Sequence, residues 1–280
     1  MSDYIHDITG SHWMVSNPAR VTRTGMDGKP FRCPFCEGSE SDTPPEVFRI
    51  GEGEVNKSGW RVRVFANLFP ITEIHEVVVH SPDHEKNLED FSLSHIEDIL
   101  KAYQNRYNEH KEKGKVFVFH NYSLISGASL IHPHSQISVV PNDIPTNTIP
   151  VQPVINIVEQ NDDFVSFCPE YSEWSYEVWI KEAVQPRQLD EAKFENLNEE
   201  QIKNLAKILQ SMIIKLKKIH DSNSHYSKKI FGYNFYISPN DPWYLRIIPR
   251  FMERAGFELS TGIMVNSVEA KEASEELKKV

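Results

Sequence analysis

Hydrophobic and polar positions follow the same order in two separate stretches of the chain. Residues 60–80, WRVRVFANLFPITEIHEVVVH, predict two strands joined by a proline-containing connection. Residues 163–180, DFVSFCPEYSEWSYEVWI, predict the same arrangement, and each stretch carries a Glu-Val pair, at 76–77 and at 177–178. The matching order indicates one motif that occurs twice.

A helical pattern follows each predicted strand pair. Apolar residues recur every three or four positions through residues 96–107 and 202–219, as on one face of a helix. Two further strands are predicted after each helix, in the ranges 115–140 and 233–251. Capping boxes are predicted for the two helices from Ser94 with Glu97 and from Asn198 with Gln201.

The order strand–strand–helix–strand–strand, present twice, predicts an α+β fold with antiparallel sheets and helices packed on them. A proline-rich segment, NDIPTNTIPVQP at 142–153, separates the two copies. It is either an extended linker or a segment that lies across the surface of one joint domain. We therefore expect an N-terminal half, residues 1–145, and a C-terminal half, residues 146–280.

Composition and charge exclude several classes of protein. The 280 residues include no run of eighteen apolar positions, so we expect no contact with a membrane. The net charge of −10 argues against nucleic-acid binding, which needs a basic face. Three cysteines are too few for a disulfide scaffold, and the first residues do not resemble a signal peptide. These features predict a cytoplasmic protein.

Two cysteines stand at the spacing of a metal clamp. Cys33 and Cys36 in RCPFC could bind a metal, form a redox pair or be two incidental thiols. The turn-like sequence around them favours a metal, and a closed zinc site needs two more ligands. His84 and His132 are the best candidates. The competing histidines, expected at the surface or half-buried, are His75, His80, His95 and His120.

The segment HPHSQ suggests a reactive site. In an extended chain His132, His134 and Gln136 face the same side. One imidazole could bind a metal while the other acts as a nucleophile, and the amide could donate to a phosphoryl oxygen. Two metal ligands, or two structural histidines, would give the same pattern. Upstream, SGAS at 126–129 allows backbone N–H groups to approach a phosphate closely.

The segment SLIHPHSQI, with CPFC and SPDH upstream, resembles the galactose-1-phosphate uridylyltransferases, a branch of the histidine-triad superfamily. The opening DITGSHWMVSNPARVTR and the closing PRFMERAGFELSTGIMVN also resemble that family, so the resemblance covers most of the chain. It implies two histidine-triad-like halves. The N-terminal half is expected to be catalytic and to bind zinc, and the C-terminal half to be degenerate.

The resemblance assigns roles residue by residue. His134 is the implied nucleophile, which attacks the α-phosphorus of a nucleotide sugar and forms a nucleotidyl-histidine, and Gln136 binds the transferred phosphate. The implied Zn²⁺ ligands, which hold the site together, are Cys33, Cys36, His84 and His132. Substrate contacts are implied for Arg20, Arg23, Phe65, Asn67, Asn121, Gly127 and Ser129. Surface exposure for the arginines, core packing for the phenylalanine and turn formation for the loop residues are the structural alternatives.

The chain also departs from the classical members of that family. Asn67-Leu68 stands where those enzymes have Asn-Asp in the nucleoside pocket, which leaves the choice of nucleoside open. Tyr244 and Arg246 stand where they have two histidines of a further metal site, so we expect no second metal. Arg246 and Arg250 are either ligands for an acceptor's phosphate or structural residues on a strand face.

These observations lead to one main functional hypothesis and two alternatives. The main hypothesis is a nucleotidyltransferase of galactose metabolism that transfers UMP between UDP-glucose and a hexose 1-phosphate. The first alternative is a phosphorylase that uses inorganic phosphate with an ADP-sugar or a dinucleoside polyphosphate. The second is a non-catalytic nucleotide-binding protein. The implied partners are a nucleotide sugar, a sugar phosphate and, since family members often pair, a second copy of the chain.

Overall fold

A ten-stranded antiparallel sheet forms the centre of the protein in a computed structural model that describes residues 3–10, 12–18, 32–146, 149–183 and 193–280. The first two strands form a separate small sheet: β1 (Asp3–His6) and β2 (Trp13–Ser16). The strands of the large sheet are β3 (Glu46–Gly51), β4 (Trp60–Ala66), β5 (His75–Val79), β6 (Lys115–Tyr122), β7 (His134–Val140), β8 (Ile157–Gln160), β9 (Phe164–Phe167), β10 (Val178–Glu182), β11 (Tyr233–Ser238) and β12 (Tyr244–Pro249). The helices are α1 (Leu93–His110), α2 (Glu199–Ser222), α3 (Gly256–Thr261) and α4 (Ala270–Lys279).

The two halves of the chain join in the middle of the large sheet. Its strand order is β3-β4-β5-β7-β6-β11-β12-β10-β9-β8, and each neighbouring pair is antiparallel. Strands β3 to β7 come from the first half and β8 to β12 from the second, and β6 pairs with β11 at the join. The predicted α+β class with antiparallel strands is confirmed. The boundary near residue 145 stays a prediction.

Helices cover one face of this sheet. The apolar stripes of α1 and α2 pack on alternate residues of the strands, such as Val78 on β5 and Leu245 on β12. On β5 the neighbouring residues Val77 and Val79 point to the opposite face and pack with Phe35. This alternation follows from the two-residue period of a strand, and it explains why β5 is apolar at consecutive positions.

The two helices begin at different kinds of cap. At α2 the predicted box is confirmed: the Gln201 backbone N–H donates to Asn198 Oδ1 at 3.0 Å, and the Asn198 backbone N–H donates to Gln201 Oε1 at 2.9 Å. At α1 the predicted box of Ser94 and Glu97 is wrong. The cap is Ser92, whose extended backbone lets its hydroxyl accept from the His95 backbone N–H at 3.3 Å, whereas Ser94 already lies inside the helix.

On the face without helices, one row of side chains crosses the whole sheet. Each member stands directly opposite the next in the strand registers. The row contains Glu46, Phe65, Val77, Gln136, Phe119, Tyr236, Arg246, Trp179, Phe167 and Ile157. Its centre lies between Phe119 and Tyr236, so positions at equal distances from the centre are structural counterparts. Gln136 of the first half thus corresponds to Arg246 of the second.

This register corrects the repeat inferred from the sequence. Val77 and Trp179 are counterparts in the row. His75 precedes Val77 by two residues and Glu177 precedes Trp179 by two residues, so His75 and Glu177 are also counterparts. The match of Glu76 with Glu177 is wrong by one residue. A shift of one residue moves a side chain to the other face of a sheet, and Glu76 indeed contacts helix α1 on the helical face.

The proline-rich segment between the halves lies on the sheet. In its described part Val151 is buried and packs in a cluster with Phe167, Trp179 and Tyr244. Of the two arrangements predicted for residues 142–153, the segment therefore follows the one in which it covers the surface of a joint structure. It covers part of the non-helical face of the second half.

Candidate active site

A cavity of about 130 Å³ opens on the non-helical face of the first half. Five of the residues assigned to the site by the family resemblance line it: Phe65, Asn67, Ser129, His134 and Gln136. Strand pairing explains why they meet. Phe65 stands opposite Val77 on β5, which stands opposite Gln136 on β7, and His134 lies two residues earlier on the same face.

His134, the first residue of β7, has a fixed ring. Its Nδ1–H donates to the backbone oxygen of His132 at 2.8 Å, which leaves the lone pair of the neutral imidazole on Nε2. Phe35 packs its ring edge-on against the imidazole, with centroids 5.1 Å apart and planes at 68°. One tautomer and one orientation are therefore selected, as a nucleophilic imidazole requires.

His132 lies outside the strand. Pairing of β7 with β5 starts at His134, opposite Val79, so the expectation that residues 132, 134 and 136 share one face of a strand is wrong for 132. Pro133 separates the two histidines and allows them to serve different sites. His132 Nε2–H donates to the backbone oxygen of Ser81 at 2.7 Å, which directs the Nδ1 lone pair to the thiols.

Cys33, Cys36, His84 and His132 form a compact cluster with all four ligand atoms within 4.8 Å of one another. The sulfur–nitrogen distances are 3.7 Å for Cys33–His132, 3.6 Å for Cys36–His132 and 3.3 Å for Cys36–His84. Tetrahedral zinc bonds imply about 3.6 Å between a sulfur and a nitrogen ligand. The cluster could therefore hold a metal ion, and its two thiols and two imidazoles suit zinc.

Burial shifts the pKa values of His132 and Cys33. Loss of solvent lowers the pKa of His132 to about 4, so its imidazole is neutral and able to coordinate. Burial raises the pKa of the Cys33 thiol to about 11 without a cation, and a bound cation would favour the thiolate. The thiolate form of Cys33 thus depends on a cation.

A buried polar network lies behind β7, on the helical face. Ser135 Oγ is 2.6 Å from Tyr103 Oη and 2.8 Å from His80 Nε2, and His120 Nδ1–H donates to the His134 backbone oxygen at 2.9 Å. Burial lowers the pKa of His120 to about 3 and the pKa of His80 well below its usual value. Both rings are therefore neutral, and the network fixes the backbone of His134 from behind.

The expectation of surface or half-buried histidines is wrong for three of the four competitors. His75, His80 and His120 are buried, and His95 is half-buried. Each of the three stands at or near a strand end, where local sequence does not predict burial. Tyr103 of helix α1 packs on His80, and strand β11 of the other half pairs beside His120.

Comparisons with known proteins agree with this arrangement. The family model described as "Galactose-1-phosphate uridyl transferase, N-terminal domain" matches residues 71–140. The ADP-glucose phosphorylase of Arabidopsis thaliana is 26% identical over 98% of this chain and 92% of its own length. The galactose-1-phosphate uridylyltransferase of Thermotoga maritima is 26% identical over 95% of this chain and 94% of its own length. The chain thus resembles galactose-1-phosphate uridylyltransferases and an ADP-glucose phosphorylase over nearly its whole length.

The fold agrees as well. A crystal structure of an ADP-glucose phosphorylase from Arabidopsis thaliana superimposes with a TM-score of 0.74 at 24% identity, and it covers 100% of this chain and 99% of its own. The fold described above is thus shared with that phosphorylase. These similarities support an enzyme related to nucleotidyltransferases.

Not all residues assigned by the family resemblance line the cavity. Asn121 on β6 accepts a hydrogen bond from Asn234 Nδ2 at 2.7 Å across the join of the halves. Gly127 has a φ of +83° in the turn before β7, where a left-handed backbone favours glycine. Their roles toward a substrate stay predictions. Arg20 and Arg23 lie outside the described residues, and their phosphate contacts also stay predictions.

The structure adds residues that the sequence did not single out. Pro34, Phe35, Asp42, Thr43 and Pro44 line the cavity and come from the segment around the cysteine pair. The cysteine motif itself was the available signal, because metal ligands hold their sequence neighbours near the site. The unusual Leu68 also lines the cavity and is 66% exposed. In the described part of the chain, no helix has the length and apolar character needed to span a bilayer.

Proposed function

We propose that this protein transfers a nucleotidyl group from an ADP-sugar to inorganic phosphate, through a covalent intermediate on His134. The observation that carries the proposal is the His134 ring, held in one tautomer in the wall of a cavity that it shares with Gln136. The ADP-glucose phosphorylase relative, similar over nearly the whole chain, supports this donor and acceptor over the UDP-glucose reaction of the main sequence hypothesis.

The proposed reaction has two displacements at the same phosphorus. In the first, His134 Nε2 attacks the α-phosphorus, a nitrogen–phosphorus bond forms, and the bond to the bridging oxygen breaks. The sugar 1-phosphate leaves with that electron pair. In the second, an oxygen of inorganic phosphate attacks the same phosphorus, ADP is released, and the imidazole of His134 is restored. ADP-sugar and phosphate are thereby converted to sugar 1-phosphate and ADP.

The remaining cavity residues suit the binding of this substrate. Gln136 lies on the same strand face as His134, where its amide can donate to a non-bridging phosphoryl oxygen as charge builds there. Phe65 and Phe35, with ring centroids 5.5 Å apart, offer an apolar wall to a nucleoside. A carboxylate that would contact a ribose is replaced by Leu68, which supports a departure from the classical uridylyl enzymes.

The proposed metal has a structural role. Cys33, Cys36, His84 and His132 would hold Zn²⁺, which links the segment around the cysteines to the loop before β7. His134 follows His132 by two residues and is hydrogen-bonded to its backbone oxygen, so the metal site fixes the position of the nucleophile.

A uridylyltransferase is the second candidate, because the Thermotoga maritima relative is equally identical over nearly as much of this chain. One experiment separates the two. The purified protein is incubated with ADP-glucose or UDP-glucose labelled at the α-phosphorus, and the label on the protein is measured after denaturation. Inorganic phosphate or galactose 1-phosphate is then added to the labelled protein.

We expect label from ADP-glucose, release of that label as ADP by phosphate, and little release by galactose 1-phosphate. The adduct is a phosphoramidate, so it should survive base and break in acid. His134→Ala should take up no label, whereas His225→Ala, at an exposed histidine, should be labelled as the wild type is. Label from UDP-glucose that only galactose 1-phosphate releases would favour the second candidate, and no label from either would reject covalent catalysis.

A further inference from the structure

A chain of hydrogen bonds beside the cavity fixes the side chain of His75. The backbone N–H of Ile71 donates to His75 Nδ1 at 2.8 Å, so that nitrogen carries the lone pair and Nε2 carries the proton. His75 Nε2–H then donates to Gln136 Oε1 at 3.0 Å. Because a backbone amide can only donate, the tautomer of His75 follows from its environment.

A second donor acts on the same oxygen. Asn67 Oδ1 accepts from the Phe69 backbone N–H at 2.8 Å, which turns Asn67 Nδ2 to Gln136 Oε1 at 3.5 Å. Asn67 Nδ2 also lies 3.3 Å from His75 Nε2, and since both nitrogens carry protons, both donate to the same Gln136 oxygen. The shorter bond from His75 dominates, and both select the same orientation of the Gln136 amide. The oxygen faces His75, and the NH₂ group is the end that can donate to a ligand in the cavity.

This orientation matters for phosphoryl transfer. An amide turned by 180° would present its oxygen to a phosphoryl oxygen, and two acceptors repel. The hydrogen bond between the buried side chains of His75 and Gln136 selects the donating orientation before the substrate binds. A donor that needs no reorientation in the transition state is the feature that accelerates such reactions.

The other half of the protein supports a coupled pair at this place. The counterparts of His75 and Gln136 are Glu177 and Arg246, which are joined by bonds of 2.7 Å and 2.9 Å. In both halves, therefore, a side chain at or just before the start of one strand is hydrogen-bonded to a side chain on the neighbouring strand. The two residues are offset by two positions from direct register. The pairing is retained although the chemistry of the partners differs.

We propose that His75 is a positioning residue that acts through Gln136, by keeping the amide NH₂ of Gln136 directed at the transferred phosphoryl group. The inference rests on the proposed function. His75 makes no contact with the reacting atoms in this mechanism. Its effect should therefore appear in the rate of nucleotidyl transfer and should vanish when Gln136 is absent.

A double-mutant cycle tests this role. The rate of labelling by α-labelled ADP-glucose is measured for the wild type, His75→Phe, Gln136→Ala and the double variant, with the unfolding midpoint of each as a check on folding. We expect His75→Phe to lower the saturating rate by at least about tenfold with little change in the concentration for half-saturation. In the Gln136→Ala background the same change should alter the rate by less than about twofold.

Independent effects of the two substitutions would overturn the inference, since a purely structural role of His75 would persist without Gln136. A wild type that takes up no label rejects the proposed function, and the role of His75 falls with it. If the wild type is labelled and His75→Phe is labelled equally fast, only the role of His75 is wrong.

A second measurement needs no variant. In ¹⁵N-histidine-labelled wild type, two-bond ¹H–¹⁵N correlations report the tautomer of each ring. We expect the Nε2–H form at His75 at pH 7.5. The Nδ1–H form, or a charged ring, would contradict the hydrogen-bond chain and overturn the inference even if His75→Phe does not fold.

Discussion

The two halves of the sheet place different side chains at equivalent positions. In the first half His134 and Gln136 face a cavity, whereas in the second half their counterparts Tyr244 and Arg246 are covered. Tyr244 stacks on Trp179 with ring centroids 4.3 Å apart and planes at 14°. The same backbone therefore gives an open site in one half and a packed surface in the other. The side chains on the non-helical face decide which.

The second half uses its charges internally. Arg246 donates to both oxygens of Glu177 and to Tyr236 Oη at 3.2 Å, and it lies 3.2 Å from Glu173. Burial alone would lower the pKa of Arg246, but the charge and hydrogen bonds of Glu177 raise it above the usual value. Of the two interpretations of Arg246, this geometry favours the structural one over binding of an acceptor's phosphate.

The largest expected difference between the halves is in reactivity. His134→Ala removes the proposed nucleophile and should lower phosphate-dependent release of sugar 1-phosphate by at least about 10⁴-fold. Tyr244→Phe, at the equivalent position, keeps the stacked ring and should change that rate by less than about threefold. Steady-state assays on both variants check this. A large loss in Tyr244→Phe would mean that the second half takes part in the reaction.

Stability should show the opposite asymmetry. Arg246→Ala leaves the buried carboxylate of Glu177 without its cation and should lower the free energy of unfolding by about 3–5 kcal/mol. Gln136→Ala removes a neutral amide and should cost about 1 kcal/mol. Urea unfolding, followed by tryptophan fluorescence, measures both.

A double variant sharpens that result. Replacing the pair with Glu177→Gln and Arg246→Met removes both buried charges and keeps an amide oxygen that can accept from Trp179 Nε1–H. It should restore most of the stability lost in Arg246→Ala. If Arg246→Ala and the double variant lose the same free energy of unfolding, the effect comes from lost packing. An unpaired charge would then not be its cause.

Local motifs in the sequence were sufficient for part of the site. Cys33, Cys36, His84 and His132 meet as the resemblance implied, and His134 and Gln136 share a face because they are two residues apart on a strand. His75 could not be found in this way. Its role depends on strand register and on a backbone donor in the connection after β4, neither of which is encoded in a short motif.

The fold was also predictable only in part. Strands and helices follow from periodicity, so the fold class was predictable. The error of one residue between Glu76 and Glu177 arose because identical dipeptides were aligned, whereas hydrogen-bond register aligns Val77 with Trp179. The cap at Ser92 was missed because serines at 92 and 94 satisfy similar sequence rules, and only backbone conformation separates them.

The metal should belong to the first half. We expect about one zinc per chain by elemental analysis, and Cys33→Ser should weaken zinc binding by more than about 100-fold and lower stability. Cys168→Ser, at a buried cysteine of the second half outside the ligand cluster, should leave the zinc content unchanged. Absence of zinc from the wild type, or loss of zinc from Cys168→Ser, would contradict this assignment.

The smallest expected difference between the halves is in the stability of the protein at acid pH. His120, next to the row on β6, is buried with a pKa of about 3, and its counterpart on β11 is Ile237. An unfolded histidine has a pKa near 6.5, so below that pH the unfolded chain takes up a proton that the folded chain excludes. This group therefore lowers stability as the pH falls from about 6.5 toward 3, by up to about 1.4 kcal/mol per pH unit.

The substitution His120→Asn removes the titrating group and can keep a donor to the backbone oxygen of His134. As the pH falls from 7.5 to 5, the free energy of unfolding of the variant minus that of the wild type should therefore rise by about 2 kcal/mol. This rise does not depend on how the two differ in stability at pH 7.5. Ile237→Val, at the counterpart, should shift stability by about 1 kcal/mol equally at both pH values. Because other acid-sensitive groups, including the metal ligands, are common to wild type and variants, the difference isolates one ring. A difference that does not change with pH would mean that His120 is protonated in the folded protein, and the buried network behind β7 would then carry a charge.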